Sequence, residues 1–272
     1  LAGDIDVLAP IRELSLTRED TTAYLLERGF SVPASTTTYS INKGLWGTTI
    51  GGKETLDTKL PLPEDAHPDT ASIADTPEDA ATLTLAFEKG IPVAVNGIHM
   101  DPVSLIESLN QTGARFGVGR GMHVGDTILG IKGRVGYEAP AADILIQSHR
   151  ELEKLVLTRW QLFQKSRLGD FYGMLLHEGQ YFDPVMRDIE AFLDSSQERV
   201  SGTSNVRLHR GTVFVLGCDS PYSLFNPDVA AYGEENKLWD ARDARGFTQI
   251  YGMQSLLAAR AAATAGDDRE SS

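Results

Sequence analysis

The chain has 272 residues, 41% of them hydrophobic and 23% charged, and a net charge of −13. That is a globular composition with length for one large domain or two modest ones. The acidic excess excludes a general nucleic-acid or anionic-lipid surface, while a small anionic ligand in a locally basic pocket is still allowed. No apolar run is long enough to span a membrane, and LAGDIDVLAP lacks the basic and apolar regions of a signal peptide. Cys218 is the only cysteine, and the six histidines show no metal-binding spacing. A reducing cytoplasm and no structural metal are expected.

In chain order, residues 5–9 read as a buried strand ended by Pro10. The chain begins with Leu1, and this strand has nothing before it to pair with, so an N-terminal portion is expected to be missing. Thr17 opens a helix with Asp20 as capping-box partner, Tyr24, Leu25 and Leu26 on its apolar face, and Gly29 as its stop. TTTYSINKGLWGTTIGG, residues 36–52, has no clean period and one charge, Lys43; Trp46 is expected to pin it to the core. PLPEDAHPDTASIADTPEDA reads as a surface loop. Residues 82–95 alternate around Lys89-Gly90 as a hairpin, and Asn96-Gly97 makes another turn. Asp101-Pro102 starts a helix with Leu105, Ile106 and Leu109 on one face and Gly113 as the stop. After a glycine-rich strand region, a helix is predicted from Ala141 to about Lys165, with Leu145, Leu152, Leu155, Val156 and Trp160 in the core. Helical patterns follow over roughly 169–178 and 184–199, then a hairpin around Arg210-Gly211. A last helix is expected from Gln249 to Ala265, with a disordered acidic tail behind it. Irregular mixing of strands and helices, with two hairpins, predicts an α+β fold: a mixed antiparallel sheet with helices and an extended C-terminal helix.

Three segments carry more than pattern. They are YSINKGLWGTTIGG; FEKGIPVAVNG with the later GVGRGMHVGDTILGIKGRVGYEAPAADIL; and SPYSLFN with DARGF. In this order and spacing the set resembles the C-terminal synthetase part of the argininosuccinate synthase family, and VLAPIREL resembles the final strand of that family's α/β nucleotide-binding domain. The resemblance implies residues 1–34 as the end of that domain, 35–247 as a synthetase and multimerisation domain, 248–265 as an oligomerisation helix and 266–272 as a tail. It implies a ligase of arginine biosynthesis that joins citrulline and aspartate while ATP goes to AMP and pyrophosphate. ATP and its Mg2+ are expected mainly on the missing N-terminal domain, since the family's phosphate-gripping loop is absent here. A homotetramer is implied, with the helix carrying Met253, Leu256 and Leu257 reaching a neighbour; packing on its own subunit is the alternative.

On this resemblance Ser40, and Thr49 nine residues later, contact citrulline, and Tyr137 does so from GRVGYEAP. Hydroxyls at fixed positions suit a neutral ligand, and the glycines around them allow close backbone approach. The residues alone also fit a glycine-rich turn whose hydroxyls satisfy their own backbone. Lys132 and Arg134 either supply positive potential for carboxylates or phosphates, or form surface pairs.

One position departs from the pattern. Twelve residues before the tyrosine the family carries a glutamate on citrulline; here Gly125 stands there, followed by Asp126. Either Asp126 takes over the substrate ammonium, or the substrate lacks an ammonium, as an N-acylated citrulline does. His123 is a weaker candidate for general base toward the aspartate amine. GVGRG lacks the context of a dinucleotide fingerprint, NVRLHRG reads as a hairpin, and Cys218 reads as a small buried hydrophobe. The competing class is a non-catalytic assembly module.

Overall fold

The computed structural model describes residue 3 and residues 5–32, 38–229 and 238–270. It divides into two units, Leu1–Tyr222 and Ser223–Ser272. The strands are β1 (Ser40–Gly44), β2 (Gly47–Gly51), β3 (Ala81–Glu88), β4 (Ile91–Val95), β5 (Ile98–His99), β6 (Arg120–Asp126), β7 (Lys132–Glu138), β8 (Gly202–His209) and β9 (Thr212–Asp219). The helices are α1 (Pro10–Glu13), α2 (Arg18–Glu27), α3 (Pro102–Arg115), α4 (Pro140–Val156), α5 (Arg159–His177), α6 (Pro184–Gln197), α7 (Ala241–Tyr251) and α8 (Met253–Glu270). All strand pairings among the described residues are antiparallel, in a first sheet of order β1-β2-β7-β6 and a second of order β5-β4-β3-β8-β9. The fold is α+β, with two sheets among the described residues where one was expected.

The core lies between the second sheet and helices α3 and α4. Alternation along β3 and β8 turns Leu83, Leu85, Phe87, Val206 and Leu208 to one face. Leu105, Ile106 and Leu109 of α3 and Ile144, Leu145 and Leu152 of α4 cover it. Each such side chain contributes roughly 1.5–3 kcal/mol on leaving water. The hairpin turns form as expected: Lys89-Gly90, Asn96-Gly97 and Arg210-Gly211 all have positive φ at both residues, matching the twist of the flanking strands. The capping box of Thr17 and Asp20 is also present.

Several expectations change. Residues 5–9 form no strand, because no described segment offers them a ladder; Val7 and Leu8 are exposed, and α1 begins at Pro10. Gly113 does not stop α3, which runs to Arg115. A Cβ there would lie 2.8 Å from Pro140 Cβ and 3.0 Å from Ile144 Cδ1, so this glycine brings α3 and α4 together. The helix predicted over 141–165 breaks at Leu157. Thr158 and Gln161 form a capping box that starts α5, which absorbs the pattern at 169–178 and leaves Trp160 exposed in its first turn. Trp46 is exposed as well; its neighbour Leu45 packs on the core instead. The acidic loop is only partly a surface feature, since Ala66, Thr70 and Thr76 are buried. In the second unit α7 and α8 replace one terminal helix, and α8 continues to Glu270. The boundary at 34–35 and the last two residues of the expected tail lie outside the described residues. Among the described residues no helix is long and apolar enough to cross a membrane.

Candidate functional site

Ser40 opens β1, Thr49 lies within β2 and Tyr137 is near the end of β7. Thr49 faces Tyr137 on one side and Asn42 on the other, and Ser40 is two residues from Asn42. Opposed residues share a face of a sheet, and so do alternate residues along a strand. The three hydroxyl side chains therefore project from one face of the first sheet. Tyr137 also opposes Gly121 of β6, and His123 opposes Val135. Asn42, Thr49, Tyr137 and Gly121 form one row; Ser40, Gly51, Val135 and His123 form the next. With strands ~4.8 Å apart and alternate residues ~7 Å apart, the two rows cover about 14 by 7 Å.

Two rings lie over glycines of β6. A Cβ on Gly121 would be 2.3 Å from both Cζ and Oη of Tyr137, and a Cβ on Gly125 would be 2.5 Å from Nε2 of His123. Glycine at these positions lets the phenol and the imidazole lie against the backbone. Tyr137 retains 37% exposure. Asn42 was not among the expected ligand contacts, although a step of two from Ser40 marks it in the sequence, and His123, the candidate general base, stands on the same face.

Charge holds the opposite face. Glu138, 1% exposed, accepts from the backbone N–H groups of Asp69 at 3.2 Å and Thr70 at 2.9 Å, and from the Thr70 hydroxyl. Arg120 donates to the Thr70 hydroxyl and carbonyl and to Glu64. Arg134 donates to the carbonyls of Glu54, Asp57 and Leu60. Lys43 and the Thr48 hydroxyl both donate to Asp69; burial pushes its carboxyl up, and these hydrogen bonds outweigh that and hold it below its ordinary value. His67 is pushed below its ordinary value by burial and by Arg120, with Glu138 and Glu64 opposing. Tyr39 donates to Glu54 at 2.8 Å, and its phenol is raised by burial and by that carboxylate. This network fastens the acidic loop behind the sheet and fixes the strands that carry the hydroxyl face.

The structure does not bring all the expected site residues together. Asp126 opposes Lys132 and pairs with it at 2.6 Å, on the face away from Ser40, Thr49 and Tyr137. Arg134 shares that face and is committed to three carbonyls. The physical reason is the period of a strand, in which one step in sequence turns a side chain to the other side. Gly125 faces the hydroxyls; its neighbour Asp126 does not. A polar cavity of about 190 Å³ is lined by Lys43, Asp69, Asn110 and Glu138. An apolar groove of about 400 Å³ is lined by Trp46, Phe87, Pro92 and His149. Neither of these two is bordered by Ser40, Thr49 or Tyr137.

A family model described as the arginosuccinate synthase C-terminal domain matches residues 39–258, which include the whole of the hydroxyl face. The chain belongs to the argininosuccinate synthase family. Argininosuccinate synthase of Methanocaldococcus jannaschii is 38% identical over 256 residues, covering 94% of this chain and 64% of that relative. That of Methanothermobacter thermautotrophicus is 39% identical over 257 residues, with coverage of 94% and 64%. That of a Synechococcus strain is 40% identical over 250 residues, with coverage of 92% and 62%. The chain thus spans a little under two thirds of the length of these argininosuccinate synthases.

Proposed function

We propose that this chain forms one wall of the substrate site, and the assembly surface, of an enzyme that joins citrulline to aspartate. Overall, citrulline, aspartate and ATP give argininosuccinate, AMP and pyrophosphate. The ureido carbon is a poor electrophile because both flanking nitrogens donate into it, so its oxygen must first become a leaving group. ATP supplies that activation. The ureido end of citrulline therefore points toward ATP, and the amino-acid end points toward this wall. Ser40, Thr49 and Tyr137 donate hydrogen bonds to the substrate's oxygens and fix its distance from the activating partner. The charged network behind the sheet keeps these donors preorganised.

Among the described residues no group of three or more His, Cys, Asp or Glu is arranged to hold a metal ion. The second unit suits assembly into a homotetramer, since α7 and α8 expose Phe247, Tyr251, Met253, Leu256 and Leu257.

The observation that carries the reading is the convergence of hydroxyls from three strands on one face, in a chain of this family. Steady-state kinetics of Ser40→Ala and Tyr137→Phe in the complete natural gene product test it. The KM for citrulline should rise by about 5–10-fold, the worth of one hydrogen bond to a ligand, with the KM for ATP changed by less than about twofold. Unchanged citrulline KM in both variants would remove the reading. Absence of AMP formation by the unmodified protein would favour the assembly module.

A further inference from the structure

Among the described residues of its four strands, the hydroxyl face carries no carboxylate. The four strands of the first sheet hold six Asp, Glu, Lys and Arg residues: Lys43, Arg120, Asp126, Lys132, Arg134 and Glu138. Register places all six on the other face, because Lys43 opposes Thr48, Thr48 opposes Glu138, Glu138 opposes Arg120, and the others follow by steps of two. The hydroxyl face offers Ser40, Asn42, Thr49, Tyr137 and His123, with glycines at most of the remaining positions. Among the described residues of these four strands it is rich in donors for oxygen atoms and places no anion to meet a cation.

An amino acid with a free α-nitrogen brings an ammonium to the end of the substrate that faces this wall. Burying an ammonium without a charged partner costs several kcal/mol. An amide nitrogen costs far less, and its carbonyl accepts from hydroxyls or an imidazole. Space is available too. A Cβ on Gly133 would meet only Thr127 Cγ2, at 3.7 Å, and a Cβ on Gly51 would meet nothing closer than 3.9 Å. His123 lies over Gly125, directly opposite Gly133, and borders this open strip.

We infer that the substrate held by this wall is a citrulline whose α-nitrogen carries an acyl group. His123 and the strip at Gly51 and Gly133 receive the acyl group. The inference rests on the ligase reading above and leaves its chemistry unchanged. The acyl group stays attached throughout, so α-N-acylcitrulline, aspartate and ATP give α-N-acylargininosuccinate, AMP and pyrophosphate. A reaction that acylates the α-nitrogen must then come earlier in the sequence, and one that removes the acyl group must follow.

The test is steady-state turnover by the complete natural gene product of citrulline, α-N-acetylcitrulline and α-N-succinylcitrulline, with saturating aspartate and ATP and detection of pyrophosphate. The expected result is a kcat/KM at least tenfold higher for one of the acylated substrates than for citrulline. A kcat/KM less than tenfold above that of citrulline for both acylated substrates overturns the inference. In that case, if turnover of citrulline still responds to Ser40→Ala, the ligase reading stands; if no substrate yields pyrophosphate, both fall together. Gly125→Glu provides a second arm, because it puts a carboxylate on this face and meets only the movable end of His123. It should shift the ratio of kcat/KM toward free citrulline by at least tenfold, and an unmoved ratio counts against the inference.

Discussion

Replacing Gly121 by alanine tests the geometry of the wall without touching any of its hydroxyls. The added Cβ would lie 2.3 Å from Cζ and Oη of Tyr137 and 2.6 Å from its Cε1, against a comfortable separation of about 3.5–4.0 Å between carbons. The phenol must therefore move by more than about 1 Å. The obstructing atoms are the far end of one side chain with 37% exposure, so the ring swings outward and the strands keep their pairing. The cost to stability is about that of a displaced rotamer, roughly 1 kcal/mol. The cost to binding is larger. A hydroxyl displaced by this much loses a hydrogen bond worth about 1–1.5 kcal/mol, or about 5–10-fold in affinity, as in Tyr137→Phe. Kinetics of Gly121→Ala, Tyr137→Phe and the double variant in the complete protein provide the assay. Gly121→Ala should match Tyr137→Phe in the KM for the citrulline substrate, and the double variant should be no worse than either single one, because both remove the same contact. Additive losses, or a normal KM in Gly121→Ala, would refute the placement of the phenol over β6.

Asp126→Asn should leave the KM for the citrulline substrate within about twofold, since an exposed ion pair on the far face is worth ~1 kcal/mol or less. Glu138→Ala should destabilise the chain by about 3–5 kcal/mol in urea unfolding, because two backbone N–H groups and the Thr70 hydroxyl lose a buried acceptor; a loss below about 1 kcal/mol would show that the loop behind the sheet is fastened otherwise. Gly113→Val should cost about 2 kcal/mol or more in the same assay, by forcing α3 and α4 apart at Pro140 and Ile144. Stability should also fall on mild acidification. His67 lies below its ordinary value of 6.5 chiefly through burial, and His149 is lowered in the same direction, also chiefly through burial. A depressed histidine lends stability above the unfolded value near 6.5 and loses it as pH falls below, because the unfolded chain takes up the proton first. Urea midpoints should thus drop between pH 7.5 and 5.5 by less in His67→Gln than in the unmodified protein, and equal drops would exclude a contribution from His67.

Local chemistry made much of the fold legible. The Thr17–Asp20 box, the Asp101-Pro102 start and the three positive-φ hairpin turns depend on neighbours within a few residues, and each is found where expected. The break before α5 was legible too, since Thr158 and Gln161 have the spacing of a capping box, but the apolar period running through them concealed it. A glycine late in a helix resembles a stop, whereas Gly113 serves a contact with residues more than twenty-five positions away. The strand expected at 5–9 had suitable residues and no partner among the described residues.

For the site, the sequence by itself determined the ingredients: the hydroxyls of Ser40, Thr49 and Tyr137, the glycines between them, and the family to which they belong. Only the tertiary structure decided which of the candidates stand together. Asp126 and Gly125 are adjacent in the chain, yet they face opposite sides of the sheet. Likewise Glu138 meets Thr70 across 68 residues, a contact that no local rule encodes. A side chain's face follows from strand register, and register is set by the cooperative pairing of four distant segments with the loop packed behind them.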